Sequence, residues 1–201
     1  MARPREFNLD DAMTGAMRLF WDHGYGEASL ADLLTAMKIS KGSFYKAFTD
    51  KKSLYLSALD YYDDKVISAT LKGLGDPSRG SGPDRISLLF ESVAASAEHD
   101  GDRLGCFLCN ALVDRGAHDD DVEKRLQKMV HRLENGFRKA LADQPAPVLD
   151  DWLRAAARAV LASYFGLRVL GKAGLSKEMA ADCVAQVQLL TMPSSVPSRR
   201  P

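Results

Sequence analysis

The chain has 201 residues, with 27 Lys and Arg against 27 Asp and Glu, so its formal net charge at pH 7 is zero. Apolar residues make up 46% of the sequence, which is enough to build a core and excludes wholesale disorder. The 15 glycines and 8 prolines exclude a collagen-like or linker-like chain. A neutral sum is only weak evidence against a nucleic-acid partner, because binding depends on where the charges lie.

Cysteine usage and apolar runs indicate the cellular compartment. The sequence has three cysteines, Cys106, Cys109 and Cys183. This number is small and odd, whereas a secreted disulfide framework uses several paired cysteines. The N-terminus lacks the apolar segment of a signal peptide, and no run of about 18 apolar residues can span a membrane. The sequence therefore predicts a soluble cytoplasmic protein that has no membrane partner.

Apolar residues recur at helical spacing along the chain, and the alternating patterns of strands are missing. This predicts an all-α fold of about nine helices. Gly24 is predicted to stop the first helix, and the second ends near Met37. The first four helices have polar residues that favour helix starts, namely Asn8, Ser29, Ser40 and either Thr49 or Asp50.

The remaining helices are separated by clear breaks. The fourth helix is predicted to run to about Lys72, and residues 73–83 form the strongest loop signal. The other five helices are predicted over residues 83–99 and 104–115, from residues 118–121 to before Pro145, from Asp150 or Asp151 to Gly171, and from a Ser176 cap to Leu190. Residues 193–201 are predicted to be a disordered tail.

Three short helices fill the first 48 residues, and the second and third are joined by only a few residues, as in a helix-turn-helix. Between Lys38 and Lys52 there are five lysines and one acid, which gives this segment a local net charge of +4. Residues 1–60 sum to zero because acids lie elsewhere in them. The alternative to DNA binding is that this lysine-rich short helix is simply exposed to solvent.

The third helix carries side chains that suit DNA, because a recognition helix presents its N-terminal residues to base edges in the major groove. Lys41 can donate to guanine, Ser43 can pair with several bases, and Gly42 permits close approach of the backbone. Lys51 begins the fourth helix, where its charge and the helix dipole favour a phosphate. The candidate residues are Ser40, Lys41, Gly42, Ser43, Tyr45, Lys46 and Lys51.

Residues 39–48 read ISKGSFYKAF, and with residues 20–24, 29–33 and 50–51 they resemble the TetR family of transcriptional repressors. The close match spans roughly residues 7–55. Ala47 stands where many members of that family have Tyr or His. The contact that such a side chain makes in those proteins is therefore absent here. The resemblance implies that double-stranded operator DNA is contacted by Ser29, Lys41, Ser43, Tyr45, Lys46 and Lys51, with Gly42 at the close approach.

The resemblance also implies a homodimer that a small-molecule inducer releases from DNA. It divides the chain into a helix-turn-helix domain at residues 1–50 and a ligand-binding and dimerisation domain at residues 51–192. The helix over residues 152–170 is apolar nearly all round and rich in alanine, so it needs burial on more than one side. A dimer interface with the last helix supplies this burial, and burial within a monomer is the alternative.

Cys106 and Cys109 lie three residues apart and share one helix face. A redox pair, half of a metal site and ordinary core packing are all compatible with this spacing. No second Cys-x-x-Cys exists and the four histidines lack ligand spacing, so no zinc site is predicted. Packing is the simplest interpretation, whereas Gly105 and Cys106 resemble the electrophile- and hypochlorite-responsive branch of the TetR family.

Aromatic residues are candidates to line the inducer cavity, and Tyr62, Phe90 and Phe107 are the foremost of them. Each of them taken singly is better explained as a core residue. The sequence does not identify the inducer.

An all-α chain is also compatible with two functions other than DNA binding. An all-α enzyme would have to use His118 and the acids at residues 119–121, but a helix start explains these acids better and no catalytic motif accompanies them. A DNA-independent ligand-binding module is the second alternative. The sequence predicts a protein that is not an enzyme and needs no cofactor or metal.

Overall fold

The computed structural model describes residues 8–98, 104–116, 118–144, 148–174 and 177–192. The predicted cap at Ser176, the breaks at Pro145 and Pro147, and the predicted tail at residues 193–201 lie outside the described residues.

The described part of the chain contains nine α-helices and no β-strand, so the all-α prediction is confirmed. The helix α4 begins as Lys51–Tyr62, passes through a π-helical turn at Asp63–Ile67 and continues as Ser68–Leu74. The other helices are α1 (Leu9–Glu27), α2 (Leu30–Met37), α3 (Lys41–Ala47), α5 (Gly82–Glu98), α6 (Phe107–Asp114), α7 (Asp120–Ala142), α8 (Asp150–Lys172) and α9 (Lys177–Leu190).

Side-chain caps explain where the first helices begin. The Asn8 side chain accepts a hydrogen bond from the Asp10 N–H at 3.0 Å, and the Ser29 hydroxyl accepts one from the Asp32 N–H at 3.1 Å. Asp50 and Ser53 form a reciprocal capping box at the start of α4. The caps predicted at Asn8, Ser29 and Asp50 are therefore present.

Gly24 interrupts α1 without ending it. Its backbone has φ 74° and ψ 176°, a conformation that only glycine adopts without strain. The prediction that the first helix stops at Gly24 is therefore correct for the regular helix, which breaks there, and a separate helical turn then continues to Glu27.

The structure divides into two compact units. The first draws its residues from Met1–Ala69 and Cys106–Val130, and the second from Thr70–Gly105 and His131–Pro201. These units group residues by contact, and the functional boundary at residue 50 stays a prediction.

An aromatic cluster forms the core of the first unit. The Phe20 and Tyr55 rings meet edge-to-face with their centroids 4.9 Å apart, and the rings of Tyr62 and Phe107 meet similarly at 5.5 Å. All four side chains are buried. Each contributes about 1.5–3 kcal/mol through burial, and such ring pairs add about 0.5–1.5 kcal/mol. This cluster packs α1, α4 and α6 against one another.

The second unit has its own core. The Tyr164 ring of α8 contacts Phe90 of α5 at 6.0 Å and Phe137 of α7 at 5.9 Å, measured between ring centroids. α5 packs against both α8 and α9.

Candidate nucleic-acid interface

The turn between α2 and α3 is fixed by an uncommon backbone conformation. Lys38 has φ 55° and ψ 38°, in the left-handed region that residues other than glycine rarely adopt. Its N–H donates to the Thr35 carbonyl, and the Ile39 N–H donates to the Leu34 carbonyl, each at 3.1 Å. These bonds satisfy the carbonyls at the end of α2, so α3 leaves the turn in one defined direction.

The start of α3 is held by a serine pair. Ser40 Oγ accepts a hydrogen bond from the Ser43 N–H at 3.1 Å, and the two hydroxyls lie 3.0 Å apart. This confirms the predicted cap at Ser40. The cap leaves Lys41 and Gly42 exposed at the tip of the helix, with Ser43 half-buried behind them.

One aromatic side chain orients the exposed face of α3. Phe44 is buried, and its ring contacts Phe48 with a centroid distance of 5.6 Å and Tyr45 at 5.2 Å. Anchoring Phe44 turns Tyr45 and Lys46 outward, and 53% of Tyr45 is exposed. The exposed side of α3 therefore presents two cations and an aromatic hydroxyl.

Gly42 has open space where a side chain would be. A Cβ built there would find only Ser40 Oγ, at 3.8 Å. Among the described residues nothing requires a glycine at this position, and the close approach to DNA predicted for Gly42 stays a prediction.

Lys51 is held against the end of α1. Its ammonium donates to the Gly26 carbonyl at 3.3 Å and lies 4.6 Å from the centroid of the Tyr25 ring. Burial lowers the pKa of Lys51, and the nearby Arg115 charge adds to this effect. One of its three donors is used, so two stay available for a phosphate oxygen.

Ser29 is the remaining candidate DNA contact, and its hydroxyl is hydrogen-bonded within the chain at the start of α2. Its hydroxyl accepts from the Asp32 N–H and donates to the Asp32 carboxylate. It is exposed, so it stays a candidate, but its first role in the fold is to cap α2.

A groove of about 770 Å³ lies beside the α2–α3 turn. Its lining combines the turn residues Lys38, Ser40 and Ser43 with Thr14 and Arg18 from α1. Sequence reasoning missed Arg18, because a single arginine on an exposed helix face has no distinguishing motif.

The candidate ligand and redox residues lie in the cores. Tyr62 and Phe107 are buried in the first unit, and Phe90 is buried in the second. Cys106 is the N-cap residue of α6, but its side chain makes no capping hydrogen bond to the helix backbone. The Cys106 sulfur lies 3.5 Å from Tyr62 Oη. Cys106 and Cys109 are both buried as free thiols. Their burial agrees with the packing interpretation.

The described residues contain no cluster of three or more His, Cys, Asp and Glu side chains that would hold a metal ion. Among the same residues, none of the helices combines the length and apolar character that crossing a bilayer requires.

Comparison with known proteins places these features in context. Residues 12–58 match the model of a family described as bacterial regulatory proteins, tetR family. The uncharacterized HTH-type transcriptional regulator YezE of Bacillus subtilis (strain 168) is 28% identical over 138 residues, which cover 68% of this chain and 70% of YezE. The HTH-type transcriptional repressor ComR of Escherichia coli (strain K12) is 28% identical over 144 residues, covering 72% of this chain and 68% of ComR.

Solved structures show the same fold over nearly the whole chain. A cysteine mutant of the TetR family transcriptional regulator CifR, complexed with 26-bp double-strand operator DNA, superposes with a TM-score of 0.79 at 27% identity. The alignment covers 93% of this chain and 98% of CifR. The reduced form of E. coli NemR superposes with a TM-score of 0.78 at 18% identity, over 93% of this chain and 98% of that one. The predicted architecture, an N-terminal helix-turn-helix followed by a helical domain, is therefore confirmed, and these relatives are regulators rather than enzymes.

Proposed function

We propose that this chain is a TetR-family transcriptional regulator, a repressor that binds an approximately palindromic operator as a homodimer and leaves it when an inducer binds. The observation that carries the proposal is the tip of α3. There Lys41 and Gly42 are exposed, the helix start is capped, and buried Phe44 fixes the helix orientation.

We expect two kinds of DNA contact, one with base edges and one with phosphates. Lys41 and Ser43 face base edges in the major groove, where lysine donates to guanine and a hydroxyl pairs with several bases. Tyr45, Lys46 and Lys51 neutralise or bond phosphates, which supplies affinity without sequence preference. Ser40 and Gly42 bring the helix tip close to the groove floor.

Exposed apolar side chains on α8 and α9 support the homodimer. Val169 is 54% exposed, Met179 49% and Leu189 59%, so these three apolar side chains are accessible to a second protomer. A two-fold interface would cover these side chains on both protomers at once. The two recognition helices of such a dimer would then read half-sites about one DNA turn, roughly 34–36 Å, or more apart.

Selection of bound DNA from a random pool tests the operator proposal, followed by gel-shift measurements on the selected site and on random DNA. We expect Lys51→Ala to weaken both complexes equally and Lys41→Ala to weaken the selected site more, by about 1–3 kcal/mol per protomer. Lys72→Ala, which removes an exposed lysine from the end of α4, is the matched control and should change neither. Equal losses on both DNAs for Lys41→Ala would contradict its role in reading bases.

For the release step we propose two alternatives, a non-covalent inducer and covalent modification of Cys106 by an electrophile or hypochlorite. The second rests on the Gly-Cys resemblance and on the place of Cys106 at the N-terminus of α6, where the helix dipole stabilises a thiolate. Treatment with N-ethylmaleimide should release the wild-type protein and Cys183→Ser from DNA but not Cys106→Ser. Identical release of all three proteins would reject Cys106 as the residue whose modification releases DNA.

A further inference from the structure

A groove of about 630 Å³ lies in the second unit, where the end of α4, the start of α5 and the second half of α7 meet. This volume is in the range of small-molecule sites. Its apolar floor consists of Leu71, Leu74 and Ala140. None of the residues proposed above for DNA binding, thiol modification or the inducer cavity lines it.

Glycine keeps the floor of this groove shallow on the α7 side. A Cβ at Gly136 would lie 2.4 Å from Leu71 Cδ2, so the missing side chain lets Leu71 rest directly on α7. Gly136 also stands between Arg132 and Lys139 on one face of the helix, because these residues are four and three positions away. A ligand that lies on Leu71 is therefore flanked by two cationic side chains, about two helical turns apart.

The charge of the lining is strongly asymmetric. Three cations, Arg85, Arg132 and Lys139, face one carboxylate, Asp143, so the lining has a net charge of +2. Asp143 is already engaged, because Arg85 Nη2 donates to its Oδ2 at 2.6 Å. Lys139 makes no ion pair within the described ranges of the chain.

Arg85 marks the groove as more than a patch of surface lysines and arginines. Its side chain is 4% exposed, and its Nη1 donates to the Gly80 carbonyl at 2.8 Å. Its Nε is buried and has no hydrogen-bond partner in the structure. A guanidinium held this deeply with one donor unsatisfied is costly for the protein alone, and negative charge in the groove that Arg85 lines would lower that cost through electrostatic attraction.

We propose that this groove binds an amphipathic organic anion, with its carboxylate or phosphate held by the Arg132 and Lys139 cations and its hydrocarbon part on Leu71, Leu74 and Ala140. The Asn135 amide supplies a neutral donor at the same site. A free inorganic anion would leave the apolar floor uncovered, and a neutral hydrocarbon would do nothing to balance the net positive charge of the lining. The binding site stands independently, whereas a role of this ligand as inducer rests on the proposed function.

Isothermal titration calorimetry in a phosphate-free buffer tests the site with four probes. These are 1-naphthaleneacetate, 1-naphthyl phosphate, neutral 1-naphthaleneacetamide and inorganic phosphate. We expect at least one of the two organic anions to bind at least tenfold more tightly than both the amide and inorganic phosphate. A preference between the two organic anions identifies the head group. Binding of the amide as tight as that of the anions, or no binding of any organic probe at millimolar concentration, would overturn the proposal.

Variants of exposed or half-buried residues locate the site without disturbing the core. Arg132→Ala/Lys139→Ala should lose at least tenfold in affinity for the anion, and Lys139→Arg should retain it. Lys124→Ala removes an exposed lysine from the same helix outside the groove and should bind as the wild type does. Unchanged affinity of the double variant, with its helical content intact by circular dichroism, would place the ligand elsewhere.

Operator binding is measured separately, so that the two proposals fail independently. If the anion binds in the groove and does not release DNA, the site stands and its role as inducer site is rejected. If the anion does not bind while the chain still recognises its operator, the groove proposal fails and the repressor proposal stands.

Discussion

The backbone N–H of Tyr25 donates a hydrogen bond to Asp114 Oδ2 at 2.9 Å, which joins two residues 89 positions apart in the sequence. This bond satisfies an N–H that the break at Gly24 removes from the regular pattern of α1. Two cations lie over the Tyr25 ring, with Lys51 Nζ 4.6 Å and Arg115 Cζ 4.7 Å from its centroid. Asp114 thus ties the end of α6 to the segment on which a proposed phosphate contact rests.

We expect Asp114→Ala to lower the free energy of unfolding by about 1 kcal/mol, because it leaves the Tyr25 N–H without its acceptor. The Tyr25 amide proton should also exchange faster with solvent, since the bond that protects it is gone. Urea unfolding and amide hydrogen exchange measure the two effects. Glu91→Ala, which removes another exposed carboxylate, is the control, and the same exchange rate of Tyr25 in both variants would contradict the prediction.

The ion pair between Lys52 and Asp119 gives the first unit an acid-sensitive contact. Lys52 Nζ lies 3.0 Å from Asp119 Oδ2, and the Asp119 side chain is only 11% exposed. The hydrogen bond from Lys52 is the main reason that the pKa of Asp119 lies below its ordinary value of 3.8, and the N–H groups of Val122 and Asp121 add to it. A carboxyl whose pKa is lower in the folded state stabilises the fold above its unfolded pKa.

We therefore expect Asp119→Asn to be less stable than the wild type at neutral pH and the difference to shrink as pH falls below about 4. The sign follows because the wild type loses this contribution as Asp119 becomes protonated, whereas asparagine has no proton to gain. Denaturant unfolding between pH 7 and pH 2.5 measures it.

A double-mutant cycle with Lys52→Met separates the pair from the other contacts of Asp119. Its coupling energy should be present at pH 7 and vanish at the acid end. A coupling energy that does not change with pH would contradict the electrostatic origin.

Gly15 lies where the backbone of α2 closely approaches α1. A Cβ there would lie 2.2 Å from the Ala36 carbonyl oxygen, which is backbone and does not move as a side chain does. We expect Gly15→Ala to cost about 2–3 kcal/mol through overpacking and to lower Tm by about 5–10 °C.

Gly26 on the same helix is the matched control for Gly15. Nothing lies within 4 Å of a Cβ at Gly26, so Gly26→Ala should be neutral or add up to about 1 kcal/mol. Calorimetry of both variants decides the matter, and similar Tm values would show that α1 and α2 can separate at no cost.

These contacts show how far the sequence reaches. Ser29, Ser40 and Asp50 act on the backbone within three residues of themselves, so local pattern alone predicts the caps that begin α2, α3 and α4. Local pattern also predicts the exposed cations of α3, because Phe44 and Phe48 define the opposite, inward face.

Other features depend on residues that only the fold brings together. Nothing near Lys38 in sequence shows that its backbone becomes left-handed, since glycine is the usual residue there. The groove that includes Leu71 and Lys139 joins segments almost 70 positions apart, and neither residue belongs to a motif. Such sites arise from tertiary packing, so sequence spacing does not reveal them.

The exposed apolar residues of α8 and α9 lead to a test of the proposed homodimer. Leu189 is 59% exposed in the single chain, so Leu189→Glu should leave the protomer folded. In a two-fold dimer the change occurs twice, and each copy loses about 1.5–3 kcal/mol of apolar burial and places a charge in the interface.

We expect Leu189→Glu to raise the dimer dissociation constant at least 100-fold in analytical ultracentrifugation and to weaken operator binding, because a monomer engages only one half-site. Leu149→Glu changes a residue that is 76% exposed just before α8 and should remain dimeric. A Leu189→Glu protein that sediments as the same dimer would exclude this face of α9 from the interface, whereas a wild-type protein that is monomeric at micromolar concentration would reject the homodimer itself.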